Sequence, residues 1–243
     1  MTNRDKGEGR LSRSDVMGLL EGSKDLSCRD LSGAALKGLD LTGVLLRGAN
    51  LAGADLSGAN LNHAILSSAN LTRAWLVDAN LFQVDMRQAR MERANLGGAD
   101  LREAMLLWVD LRWADLRLAN LTAADLRGAR LSDADFRRAV LSSANLSEAL
   151  IWGTNLEKAI LQEAILVGAD LTRANCAGAI FWEADLTEAN LHYTDLTGVD
   201  LRQTIISAEQ LTQAGSLAGA QLPVDQSLRV RLLRGLVRRK NVY

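Results

Sequence analysis

A five-residue period of apolar and polar positions runs through residues 24–214 without a break. Every fifth residue from Leu26 to Leu211 is apolar, and 31 of these 38 positions are Leu. The position two residues earlier is Ala in 27 of the 38 units, and the residue between the two is Asp or Asn in 24. The two apolar positions predict an interior of Leu and Ala, and the other three predict the surface.

Neither an α-helix nor a long strand buries this pattern. In an α-helix, residues five apart are rotated by about 140°, so the Leu positions would spread around the whole circumference. In a strand, an odd period places successive Leu side chains on opposite faces. The period therefore predicts a chain that turns once in each unit, so that every Leu points inward again.

Two end regions flank the repeat, and the chain divides into 1–23, 24–214 and 215–243. The first region is predicted to be a tail and a capping helix at 11–22, which begins near Ser14 and Asp15 and ends at Gly22. A cap is expected because the end of a repeat array exposes apolar interior and unpaired backbone groups.

The C-terminal region is predicted to be a capping turn after Leu211, followed by a basic amphipathic helix at 226–240. The apolar side of that helix consists of Leu228, Leu232, Leu233 and Leu236. Its other sides carry Arg229, Arg231, Arg234, Arg238, Arg239 and Lys240.

Charge is distributed unevenly along a chain whose formal net charge is only −1. The repeat holds 18 basic and 24 acidic residues, whereas residues 215–243 hold six basic residues and one acidic residue. The repeat is thus acidic and the C-terminal region is basic. Two cysteines make no disulfide framework, and the polar N-terminus carries no signal-peptide pattern, so a reducing, cytoplasmic setting is expected.

No catalytic, cofactor-binding or metal-binding set of residues stands out. The only histidines, His63 and His192, fall at outward positions far apart, without the neighbouring Cys or carboxylate spacing of a metal site. Neither a phosphate-binding loop nor a dinucleotide-binding motif is present. The sequence therefore favours a non-enzymatic protein without a cofactor.

Hydrophobic residues at outward positions are the exceptions that suggest function. Met105, Leu107 and Trp108 are outward residues of one unit, Trp113 belongs to the next unit, and Leu118 to the one beyond; we call these five residues the girdle. Arg93 precedes Trp113 by twenty residues, so in a coil of four units, the arrangement that the family resemblance given below implies, its guanidinium could lie over the indole ring. The girdle is either a protein-binding surface or a simple shield for the corners of the rod.

A second set of outward hydrophobic residues lies toward the C-terminal end. We call it the apolar strip: Val140, Ile160, Ile180 and Trp182 on one face, with Ile165 and Val167 on the adjoining face. The predicted C-terminal helix needs an apolar surface, so it is expected to fold back onto the strip or to pair with its mate in a homodimer. The alternative is contact of the basic helix with an anionic membrane or nucleic acid.

Units such as Ala-Asn-Leu-Ala-Gly at 49–53 and Ala-Asp-Leu-Ser-Gly at 54–58 resemble the A(D/N)LXX motif of the pentapeptide repeat family. The resemblance implies an all-β fold, a right-handed quadrilateral parallel β-helix with four units per coil. Over 24–214 that makes between nine and ten coils and a rod of roughly 45 Å. The helix running into Gly22-Ser23-Lys24-Asp25-Leu26 is similar to the entry of regulatory members common in cyanobacteria.

The resemblance and the residues together favour a rigid scaffold that presents a surface to another protein. The alternative comes from the family's quinolone-resistance members, which mimic B-DNA and bind DNA gyrase. A net charge of about −6 along the rod is sparse beside duplex DNA, which carries about one negative charge per 1.7 Å. Outward arginines in the middle of the repeat, including Arg87, Arg127 and Arg138, also work against mimicry.

Overall fold

A computed structural model describes residues 9–223. Its helices are α1, Arg13–Gly22, and α2, Ala208–Gln213. Between them the described chain pairs through single-residue parallel bridges, each joining a residue to the one twenty positions later, from Asp25↔Leu45 to Asp185↔Ile205. The chain therefore returns over itself every twenty residues, and one coil consists of four five-residue units.

Four columns of bridges define four faces of the stack, which are numbered in the order in which the chain visits them. The columns run from Asp25 to Ile205 on face 1, from Asp30 to Asn190 on face 2, from Ala35 to Asp195 on face 3 and from Asp40 to Asp200 on face 4. This register confirms the four-unit coil, and it shows which surface residues lie one above another.

The backbone of each unit is satisfied by a repeated set of hydrogen bonds. In the unit around Leu51, the Leu51 amide donates to the Asn70 carbonyl in the next coil (2.7 Å), and the Asn50 amide donates to Arg29 in the previous one (2.9 Å). The turn closes when the Ala54 amide donates to the Leu51 carbonyl (3.0 Å). Since buried backbone groups must be paired, this pattern lets a chain with almost no long strand or helix bury its interior.

The Asp or Asn before each central Leu has a structural role that solvent exposure alone does not explain. Its Oδ1 accepts a hydrogen bond from the amide two residues later, as from Ser57 to Asp55 (3.0 Å) and from Thr72 to Asn70 (3.2 Å). Asp and Asn are suited to this short-range turn because their side chains reach the following backbone. Where this position holds Asp or Asn, its side chain therefore stabilises the turn that follows.

The third residue of every turn from Cys28 to Gly198, and Gly219 after α2, has a positive φ, typical of a type II turn. Glycine meets this requirement at 13 described positions, but 23 other positions hold a residue with a side chain. A side chain in the left-handed region costs roughly 1–2 kcal/mol relative to glycine. The turns at these 23 positions are therefore less stable than they would be with glycine.

Ser143→Gly is expected to stabilise the protein by about 0.5–1 kcal/mol, because Ser143 has a φ of 56°. The neighbouring Ser142 lies outside the positive-φ positions, so Ser142→Gly should destabilise by a similar amount through the greater entropy of the unfolded chain. Urea denaturation followed by circular dichroism measures both variants. Equal effects of the same sign would show that turn conformation does not limit stability here.

The interior consists of the two predicted apolar positions, stacked along the whole described repeat. Phe136 and Phe181 replace Leu and are fully buried. At the Ala positions, Thr154 and Thr194 are also fully buried, and each hydroxyl donates to a backbone carbonyl, of Leu131 and Leu171 respectively (both 2.8 Å). These hydrogen bonds explain how a polar residue fits among Ala side chains.

The predicted N-terminal helix is present as α1, but it begins at a different residue from the one predicted. Ser12, rather than Ser14, is the N-cap residue, since Ser12 and Asp15 form a reciprocal capping box. Val16 is fully buried on the first coil. The Leu11 amide donates to the Asp30 carbonyl (2.8 Å), and the Arg13 guanidinium donates to two further carbonyls of that coil. The cap therefore covers apolar surface and pairs exposed backbone groups.

The C-terminal end differs from the predicted pattern in two ways. Helix α2 interrupts the repeat before residue 214, because Ser207 and Gln210 form a capping box that favours a helix, although Leu211 still fills an interior position. The chain after α2 is also more than a capping turn. It returns to the stack with bridges Asp195↔Ser216 and Asp200↔Gln221, so the last coil is one residue longer than the others. The predicted helix at 226–240 lies outside the described residues.

Candidate protein-binding surfaces

The girdle lies on a single coil, with its members on three consecutive faces. Met105 belongs to the bridge column of face 1, and Trp108, Trp113 and Leu118 are the third turn residues of faces 1, 2 and 3. The exposed fractions are 41% for Met105, 58% for Trp108, 47% for Trp113 and 64% for Leu118, whereas Leu107 is half-buried. The structure thus places the five predicted residues on one coil, but a role in binding stays a prediction.

Both tryptophans of the girdle are held by their neighbours. The indole of Trp108 lies against Gly128, one coil further on, where an added Cβ would come within 2.5 Å of Nε1. The Trp113 ring has the guanidinium of Arg93 5.4 Å from its centroid and that of Arg112 5.2 Å from it. The predicted contact between Arg93 and Trp113 is confirmed, and Arg112 is a second partner that the twenty-residue step did not suggest.

Arg112 is fixed by carboxylates beneath the Trp113 ring. Its Nη2 lies 2.6 Å from Asp110 and 3.4 Å from Glu92, and Arg130 adds a contact of 3.5 Å to the same Asp110. Burial raises the pKa of Asp110, but the hydrogen bonds and charge of Arg112 outweigh burial and leave that pKa below its usual value. The Trp113 ring therefore packs against the Arg112 guanidinium, which is hydrogen-bonded to the ionised Asp110 carboxylate.

The apolar strip is continuous along face 4. Val140, Ile160 and Ile180 follow one another through parallel bridges, and Trp182 stands two residues beyond Ile180 with 43% of its surface exposed. Ile165, on the adjoining face 1, is 39% exposed. The structure brings the strip together as expected, while its predicted occupants Leu228, Leu232, Leu233 and Leu236 lie outside the described residues.

Seven arginines neutralise the aspartate two residues before them. Each donates hydrogen bonds from Nε and Nη2 to the carboxylate, with Nη2–oxygen distances of 2.6–2.8 Å. The pairs are Asp85–Arg87, Asp100–Arg102, Asp110–Arg112, Asp115–Arg117, Asp125–Arg127, Asp135–Arg137 and Asp200–Arg202. The hydrogen bond from Arg117 lowers the pKa of Asp115. This Asp-x-Arg spacing is visible in the sequence, and its effect on surface charge follows only once the turn geometry is known.

Other exposed hydrophobic residues went unnoticed in the sequence, including Trp75, Leu150 and Trp152. Trp75 lies in one unit, and Leu150 and Trp152 share another; only the described structure shows how much of each is exposed. Trp75 and Trp152 are 54% and 39% exposed and lie outside the girdle. They offer matched controls for the girdle tryptophans.

Residues 9–223 offer few other groups that could bind a metal ion or act as a nucleophile. In that range no three His, Cys, Asp or Glu side chains are grouped so that they could hold a metal ion. Burial, with a smaller contribution from Asp195, raises the pKa of the Cys176 thiol to about 12, so Cys176 is an inert interior residue, whereas Cys28 is exposed. No helix of the described chain has the length and hydropathy needed to cross a membrane.

A stack of twenty-residue coils, each built from four five-residue units, defines a repeat protein. The family of pentapeptide repeats matches in eight copies, which cover residues 30–117 and 119–203. The chain belongs to the pentapeptide repeat family. Among curated protein sequences, none matches it significantly.

Solved structures of similar proteins include two from cyanobacteria. HetL, a pentapeptide repeat protein involved in heterocyst differentiation regulation in Nostoc sp. strain PCC 7120, is 29% identical with a TM-score of 0.70, and the match covers 81% of this chain and 98% of HetL. Rfr23 from Cyanothece 51142 is 36% identical with a TM-score of 0.36, over 40% of this chain and 64% of Rfr23.

A third solved structure is that of QnrB1, a plasmid-mediated fluoroquinolone resistance protein. It is 21% identical with a TM-score of 0.48, and the match covers 88% of this chain and 95% of that one. HetL is thus matched over nearly its whole length, while the chain spans just under two thirds of Rfr23.

Proposed function

We propose that the protein is a non-enzymatic scaffold that presents the girdle to another protein. The family fold implied by the sequence, a right-handed quadrilateral β-helix, would serve as the rigid support. The observation that carries the proposal is that one coil exposes Met105, Trp108, Trp113 and Leu118 by 41–64% each, on three consecutive faces. Clustered exposed hydrophobic residues in soluble proteins mark interaction surfaces.

The surroundings of Trp113 suggest the chemistry of the partner. Arg73 and Arg93 stand in line with Trp113 on face 2, and neither forms an ion pair within residues 9–223. Trp and Arg are enriched among the residues that dominate binding energy at interfaces. A matching partner surface would have an apolar pocket for an indole ring, bordered by carboxylates.

Trp108→Ala combined with Trp113→Ala is expected to abolish capture of the partner while leaving the circular dichroism spectrum unchanged. Each exposed tryptophan at an interface centre contributes on the order of 2 kcal/mol or more, so if the two losses add, the pair should weaken binding by roughly 1,000-fold. The measurement is quantitative mass spectrometry of proteins captured from a lysate of the source organism by the full chain.

Trp75→Ala combined with Trp152→Ala removes two exposed indoles elsewhere and should leave capture intact. A further arm moves one girdle ring without deleting it: Gly128→Ala displaces Trp108, whereas Gly168→Ala, in the same column with a similar φ, meets nothing closer than 3.9 Å. If both tryptophan double variants capture the same proteins as the parent chain, the girdle only shields the corners of the rod.

Gyrase binding by DNA mimicry is the alternative function. It requires rows of uncompensated carboxylates, whereas six Asp-x-Arg pairs neutralise the middle of the stack between Asp85 and Arg137. We therefore expect the protein to leave gyrase-catalysed supercoiling unchanged. Inhibition or protection of gyrase at stoichiometric concentrations would favour the alternative.

A further inference from the structure

The C-terminal part of face 1 combines an apolar floor with acidic borders. Ile165 and Ile205 are 39% and 58% exposed in one bridge column, with Asp185 between them, and Val167 is half-buried beside Ile165. The corner shared with face 4 carries Glu163 and Glu183, and the corner shared with face 2 carries Glu148 and Glu188; all four are exposed. A segment lying along this face would thus contact apolar side chains between two rows of glutamates.

The carboxylates of this surface are not neutralised by the stack. Among the described residues no Lys, Arg or His forms an ion pair with the four glutamates or with Asp185. Across faces 1 and 4 from residue 140 to residue 205 there are six acidic residues and one basic residue, Arg202, which is paired with Asp200. The surface therefore has a net charge of −5, in contrast to the arginine-neutralised middle of the stack.

The chain leaves the stack beside this surface. Gln221 pairs with Asp200 on face 4, Leu222 follows toward the interior, and the corner after face 4 leads to face 1, above Ile205. Residues 224–243, outside the described part of the chain, contain six basic residues and one acidic residue, a net charge of +5. Their predicted amphipathic helix at 226–240 would be about 22 Å long, enough to span the roughly 14 Å from Ile205 to Asn145.

We propose that residues 226–240 dock intramolecularly along the C-terminal half of face 1 and the adjoining apolar strip. Their leucines cover Ile165, Ile205 and the strip, and their arginines pair with the glutamates at the two corners. Exposed apolar surface together with opposite charges of equal size favours this occupant over a second copy of the stack, whose own face 1 carries the same negative charge. The docking surface is separate from the proposed partner-binding role of the girdle.

Hydrogen exchange of the full chain, followed by mass spectrometry at low protein concentration, tests the docking. Amides of 226–240 are expected to be protected, and Ile165→Asp should make them exchange at least about tenfold faster, because it places a carboxylate in the apolar floor. Asp is common at this position of the repeat, so the coil itself should stay intact. Leu45→Asp is the matched control, in the same column with 37% exposure but six coils away, and it should change nothing in the tail.

A charge exchange makes the test independent of apolar packing. Glu163→Lys with Glu183→Lys should reduce protection of the tail, and adding Arg234→Glu with Arg238→Glu should restore it. Exchange of 226–240 at the rate of an unstructured peptide in the parent chain would overturn the proposal. Protection that rises with protein concentration, together with a dimer in light scattering, would overturn it in favour of pairing between two chains.

Discussion

Phe136→Ala is expected to destabilise the protein by about 3–5 kcal/mol, the range observed for removal of a fully buried aromatic ring. Phe136 has no exposed surface and occupies a position at which 31 of 38 units have Leu. The loss combines the transfer free energy of the ring with the cavity that remains. The surrounding coils are fixed to one another by backbone hydrogen bonds on both sides, so they have little freedom to collapse into the space.

Phe136→Leu is the matched control, because it restores the residue that the repeat prefers. Apolar substitutions that keep most of the volume usually cost less than about 1.5 kcal/mol, so this variant should stay close to the parent chain. Urea denaturation measured by circular dichroism compares the two. If Leu and Ala are equally destabilising, the ring must meet a local requirement that the repeat interior does not otherwise impose.

Val16→Asp is the second substitution with a large expected effect, since it should uncouple α1 from the first coil at a cost of about 3 kcal/mol or more. Val16 is fully buried in the cap, so the new carboxylate would lose its hydration against an apolar surface. Without the cap, the backbone groups that Leu11 and Arg13 satisfy on the first coil become available to another chain.

Hydrogen exchange across 24–45 measures the opening of the first coil, and size-exclusion chromatography measures any resulting association. Met17→Asp provides the control one residue further on, where the side chain is 49% exposed and a carboxylate stays hydrated. An unchanged exchange pattern in Val16→Asp would mean that the first coil is stable without α1.

The interior and the coil could be predicted from the sequence because each unit repeats the same pattern of apolar and polar positions. Apolar positions five apart require a turn per unit, and the structure places Leu26 through Leu201 in one buried stack. The end regions were harder to predict because they do not repeat. Whether Ser12 or Ser14 caps α1, and whether Gln210 lies in a helix or occupies a bridge position, depends on side-chain hydrogen bonds that periodicity does not specify.

The girdle and strip were also predicted, since an outward hydrophobic residue is visible as an exception to the repeat. The contacts and charges around the girdle and the strip were not predicted. The stacking of Arg112 on Trp113 depends on the direction in which Asp110 holds the guanidinium, and the unneutralised acidic rows of face 1 emerge only when residues twenty apart are placed side by side. The charge of each surface in this fold depends on which residues share a column or a corner of the stack. The order of the residues along the chain does not show this directly.

The twenty-residue register has a consequence for how such chains can change in length. Inserting a whole coil between Leu118 and Val140 would move the girdle and the apolar strip about 4.8 Å further apart and leave their angular relation unchanged. Inserting a single five-residue unit there would instead rotate everything downstream by one face, a quarter turn about the axis. Duplication of whole twenty-residue coils thus changes the distance between two surface patches, and duplication of a five-residue unit changes the angle between them. The distance and the angle can therefore evolve separately.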